Sequence, residues 1–76
     1  MIRYRLRELM ADYHFRTGNR LTFEEIATET GIHRTTLSKI ANHRNYNTTT
    51  DNIDKLCIFF KCPISDLMEH VQEIDT

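Results

Sequence analysis

Apolar residues recur along this chain at helical spacing, in short groups separated by polar or turn-forming residues. Ile2, Leu6, Leu9, Met10 and Tyr13 fall on one side of a helix running from Arg3 to about Phe15 or Thr17. Gly18-Asn19 stops it, because both residues tolerate left-handed backbone angles. Thr22 followed by Glu25 fits a capping box, in which hydroxyl and carboxylate each satisfy an orphan backbone donor; it opens a second helix with Ile26 and Ala27 inward. Gly31 ends that helix and permits a sharp turn. A third helix is predicted from about His33 or Arg34 to Ala41, with Leu37 and Ile40 as a narrow apolar stripe. Its remaining residues, Arg34, Thr35, Thr36, Ser38 and Lys39, are polar. Asn42 to Thr48 reads as a polar loop. Thr49 caps a fourth helix, with Asn52 placed to answer it and Ile53, Leu56, Cys57 and Phe60 facing inward. Lys61-Cys62-Pro63 breaks it. A last helix is predicted from about Pro63 to His70, with proline in the first turn and Ile64, Leu67, Met68 and Val71 inside.

This pattern predicts an all-α fold of five helices in a single domain over residues 1–71, with residues 72–76 a frayed tail. Hydrophobic residues make up 39% and charged residues 28% of the 76, an ordinary balance for a soluble globular domain. A core this size stabilises by only ~3–5 kcal/mol, so good caps or self-association are expected to add to it. No apolar run approaches the ~18 residues of a membrane helix. The start, Met1-Ile2-Arg3-Tyr4-Arg5, lacks the apolar stretch of a secretion signal, so a cytoplasmic location without membrane contact is expected. Net charge is −1, but signs alternate along the chain. Residues 1–20 and 33–44 are basic, whereas residues 21–32 and 45–76 are acidic, so one face can be positive on a near-neutral molecule.

Ile26, Ala27, Gly31, Ile32, Leu37 and Ile40 form the most informative spacing. Two helices joined by a tight turn must pack steeply. Ala27 lets the third helix approach closely, Gly31 supplies the turn, and the four larger residues fill the inside of the corner. The third helix is then propped outward with its polar face free, a shape that fits a DNA major groove ~12 Å wide. The stretch TFEEIATETGIHRTTLSKIANHRN resembles the helix-turn-helix of the lambda repressor and Cro-like family, also called the XRE family. The stretch NTTTDNIDKLCIFFKCPISDLMEHV resembles the last two helices of its short, stand-alone members. The resemblance covers roughly Ile2 to Val71 and implies a five-helix lambda-repressor-like bundle.

By position, the resemblance implies that Arg34, Thr35, Ser38 and Lys39 touch base edges. Arg34 has the chemistry to donate two bonds to guanine, and Lys39 to reach guanine or a phosphate. The family's first residue of the second helix usually holds a polar phosphate contact. Here it is Phe23, so the contact passes to Thr22 or a backbone amide. His33 stands where serine is common, as a weaker cap and a phosphate donor. The family often has glycine near His43. The connection from Arg16 to Leu21 is longer than usual, and basic. Thr36, Asn42, His43, Arg44, Tyr46, Asn47, Thr48 and Thr49 complete an expected backbone-contacting set with Thr22, Phe23 and His33. Arg3, Arg5 and Arg7 read first as ordinary solvent-facing charges of a first helix, with contact to DNA as the alternative.

The expected function is a sequence-specific DNA-binding transcriptional regulator, a repressor that occludes a promoter as a dimer. The alternative is an antitoxin-like module that binds a toxin or another regulatory protein as well as its own operator. No cofactor or enzymatic activity is expected, since no placed nucleophile and base are readable. No metal site is expected either: His14, His33, His43 and His70 form no ligand spacing with Cys57 and Cys62. The two cysteines are expected as free thiols, although one disulfide between them is possible in principle. Ile58 and Phe59 are surplus to the apolar stripe of the fourth helix. Either they pack under the last helix, or with Met68, Val71 and Ile74 they form a patch for a second subunit.

Overall fold

A computed structural model describes residues 1–43 and 45–72. The order is β1 (Ile2–Tyr4), α1 (Leu6–Thr17), α2 (Phe23–Thr30), α3 (Arg34–Asn42), α4 (Thr50–Phe60), α5 (Ile64–Leu67) and β2 (Met68–His70). Among the described residues the fold is thus five helices, as the pattern predicts, with a small two-stranded sheet formed by residues 2–4 and 68–70. None of the described helices is long and apolar enough to cross a membrane.

The helix boundaries follow local chemistry. Thr22 caps α2 by accepting from the Glu25 amide at 3.1 Å, and Thr49 caps α4 by accepting from the Asn52 amide at 3.1 Å. Gly18 and Gly31 take left-handed angles, φ 77° and 78°, and their amides donate to the His14 and Ala27 carbonyls. Lys61 does the same work at the end of α4 with φ 54°. The sequence places a breaker there but gives no hint that a lysine adopts the strained angle.

Two predicted helices are corrected at the outer ends of the chain. The first begins at Leu6, not Arg3, and the last ends at Leu67, not His70. Ile2 therefore lies on a strand and not on the first helix's stripe, and Pro63 is the cap of α5 and not its first residue. The residues removed from both helices pair with each other, antiparallel, with Ile2 opposite His70, Arg3 opposite Glu69 and Tyr4 opposite Met68. Bonds between Met1 and Val71 run both ways, at 3.0 and 2.8 Å. Arg3 bridges Glu69 across the pair at 2.8 Å and Glu8 on α1 at 2.7 Å. Backbone donors and acceptors at the two chain ends find partners in one another, which a frayed helix turn would leave to water.

The core is Leu6, Leu21, Ile26, Ile32, Leu37, Ile40, Ile53, Leu56 and Leu67. Four of these are the large residues of the α2–α3 corner, so the packing that props α3 outward is the centre of the molecule. Leu21, in the basic connection after α1, is a core residue that the periodic stripes do not include.

Candidate nucleic-acid interface

The polar face of α3 is built from its first turn. His33 precedes the helix in extended conformation, and its Nδ1 accepts from the Thr35 amide at 3.0 Å. An Nδ1 that accepts carries no proton, so in the neutral ring the proton is on Nε2. The histidine is therefore a true cap, and its free N–H remains available as the phosphate donor the sequence suggests. Arg34 is the first helical residue. Its Nη1 donates to Glu24 Oε1 on α2 at 2.9 Å, and both side chains are well exposed. An exposed pair of this kind contributes little and yields to a better partner. The other guanidinium donors stay free for a base edge.

Thr35 and Lys39 are exposed, while Thr36 and Ser38 are half-buried. The Lys39 ammonium is 5.9 Å from the centroid of the Tyr46 ring, a cation–π distance that ties the helix to the following loop. Ser38 Oγ accepts from Asn42 Nδ2 at 3.3 Å, and Asn42 Oδ1 accepts from Arg7 Nε and Nη2 at 2.9 and 2.5 Å. Beyond the loop, Asn52 Nδ2 donates to Thr48 Oγ1 at 3.0 Å, so Thr48 and Thr49 are both engaged in building the start of α4. Asn47 and His43 are exposed and Tyr46 is half-buried. Arg44 lies outside the described residues.

At the start of α2 the capping box is altered. The Glu25 carboxylate accepts from the Thr22 hydroxyl at 3.1 Å, where the sequence predicts that it reaches the Thr22 amide. The hydroxyl proton expected for a phosphate is thus already committed. Phe23 is half-buried and packs against the core, with the Arg7 guanidinium 5.9 Å from its ring centroid. Glu24 beside this face is a residue that sequence reasoning passes over, and Arg7 is one that it weighs only together with Arg3 and Arg5. Arg7 reads as one charge among several on a first helix, and its approach to α2 and α3 depends on tertiary packing.

Ile58, 68% exposed, and Phe59 line a shallow groove with Glu29, Thr30 and Lys55, and Phe59 also packs edge-on against Phe60 at 5.0 Å. Met68 belongs to β2 and packs against the core, while Val71 lines a different groove beside β1. Ile74 lies outside the described residues. Cys57 and Cys62 are free thiols. Burial raises the Cys62 pKa, and nearby Cys57 and Asp66 push it the same way, so this thiol resists forming the thiolate. Among the described residues, no group of three or more His, Cys, Asp or Glu is placed to hold a metal.

The arrangement presents a capped, outward-propped helix whose exposed face offers a guanidinium, an ammonium and hydroxyls, flanked by helix starts and a polar loop. No curated protein and no solved structure matches the chain. The model of the Cro/C1-type helix-turn-helix DNA-binding domain matches residues 5–73, from just after β1 through all five helices and β2. The chain belongs to this Cro/C1-type helix-turn-helix family of DNA-binding domains.

Proposed function

We propose that this protein is a sequence-specific transcriptional regulator that lays α3 in the major groove and represses by occluding a promoter. The supporting observation is the face of α3: Arg34 stands at the helix start, exposed and loosely held, with Thr35, Ser38 and Lys39 following on the polar side. Arg34 reads a guanine by a bidentate contact, and Lys39 reads a base or a phosphate one turn on. His33, Thr36, Asn42, His43, Tyr46, Asn47, Thr48 and Thr49 surround this face and set register on the backbone. Thr22 and Phe23 contribute through the amides at the start of α2, because neither side chain offers a free donor. A single small domain buries only ~600–1,000 Å² of its own surface on DNA, so two copies reading half-sites one helical turn apart fit the task better than one.

Selection from randomised duplexes at two salt concentrations tests this reading. An enriched motif at both is expected, and Arg34→Ala should then weaken binding to that motif by ~1–3 kcal/mol and relax one base preference. Binding without any enriched motif would remove sequence-specific regulation and favour a protein-binding module.

A further inference from the structure

We infer that Arg7, on α1 and outside the helix-turn-helix, is a backbone-phosphate ligand for bound DNA, held in position by Asn42 and Phe23. This inference rests on the DNA-binding reading above. Three observations carry it. The first is geometry. The Arg7 guanidinium reaches Asn42, the last residue of α3, and stands over the ring of Phe23, the first residue of α2. It therefore joins the outer ends of the two helices that form the DNA-facing corner. The second is donor accounting. A guanidinium has five N–H donors. Two of Arg7's go to a single acceptor, Asn42 Oδ1, and among the described residues the others are uncommitted.

The third observation is charge. Arg3, Arg16 and Arg34 each bridge to a carboxylate. Among the described residues Arg7 instead leans on a neutral amide oxygen and a neutral ring, so its positive charge is oriented and no carboxylate there cancels it. Asn42 is itself oriented, since its Nδ2 donates to Ser38 and leaves Oδ1 toward Arg7. A pre-oriented, uncancelled guanidinium with free planar donors matches a phosphate well. The apolar Phe23 ring fits the same picture. It gives up a polar side chain at the start of α2 and provides a platform for a cation delivered from α1.

The test uses the wild-type chain, Arg7→Gln and Arg7→Lys with a short mixed-sequence DNA duplex, measuring affinity across a salt series. Each phosphate neutralised contributes about 0.9 to the slope of log K against log salt. Arg7→Gln should lower the magnitude of that slope by about this amount, whereas Arg7→Lys should keep it. Equal slopes for wild type and Arg7→Gln would make Arg7 a strut between helices and overturn the inference. Absence of any salt-dependent binding by the wild type would instead defeat the DNA-binding reading itself. Should Arg7→Gln fail to fold, NMR of the wild-type arginine side chains decides. The Arg7 Nη–Hη signals should shift and sharpen on adding duplex. Unmoved Arg7 signals alongside shifted α3 amides would overturn the proposal.

Discussion

The α2–α3 corner and the terminal β1–β2 pair are made in opposite ways. In the corner every device is local. Thr22, Gly31 and His33 each set a helix end through partners only two to four residues away, and Ile26, Ile32, Leu37 and Ile40 meet across one short turn. The sheet joins residues 2–4 to residues 68–70, and its stability depends on the whole chain having folded between them. The corner determines where the polar helix points. The sheet fastens the ends behind it. Perturbing the corner should therefore cost both stability and function, and perturbing the sheet should cost little of either.

The largest effect is expected at Leu37, which is fully buried beneath α3. Leu37→Ala should destabilise by about 2–5 kcal/mol, because it removes a fully buried side chain from the core cluster and leaves a cavity there. A core of this size supplies only ~3–5 kcal/mol in total, so a largely unfolded variant is expected by circular dichroism and urea titration. A cooperative transition displaced by less than about 1 kcal/mol would show that the corner is not the centre of stability.

The same contrast explains what was legible in the sequence. The corner could be read because its signals are periodic and adjacent: inward residues at helical steps, a hydroxyl cap, a glycine at the turn. The sheet could not. Three-residue strands are too short for alternation to stand out, and Ile2 continues the helical spacing of Leu6 and Leu9 by coincidence. Likewise Met68 fits a helical stripe after Ile64 and Leu67, yet the chain extends there because a partner strand waits at its other end. The candidate site divides along the same line. Arg34 through Lys39 lie on one helix, and their shared face follows from spacing. Arg7 reaches Asn42 across 35 positions of sequence, and no local pattern marks that contact.

A milder perturbation separates backbone geometry from packing. Gly31 turns the corner at φ 78° and Gly18 ends α1 at φ 77°, and nothing lies within 4 Å of a Cβ added at either. With space free at both sites, the expected penalty is only that of a left-handed backbone, about 1–2 kcal/mol for Gly31→Ala and for Gly18→Ala alike. Chemical denaturation of the two variants side by side measures this. A much larger loss at Gly31 would mean that the turn is coupled to the approach of α2 and α3, not merely permitted by glycine.

The smallest effect is expected on the sheet, at Arg3. Its two bridges, to Glu8 and Glu69, are short, but every side chain involved is roughly a third to a half exposed. Solvent screens such pairs, so Arg3→Ala should cost ~0–1 kcal/mol and the difference should fade in high salt. Two carboxylates already offset the Arg3 charge, so deleting it should also leave the salt slope of DNA binding where the wild type has it. Arg7, four residues on, carries the same side chain but, among the described residues, bridges no carboxylate, and its loss should lower the slope. A matching drop in Arg3→Ala would mean that the basic N-terminal segment acts as a diffuse cloud of charge, and Arg7 would lose its claim to a particular phosphate.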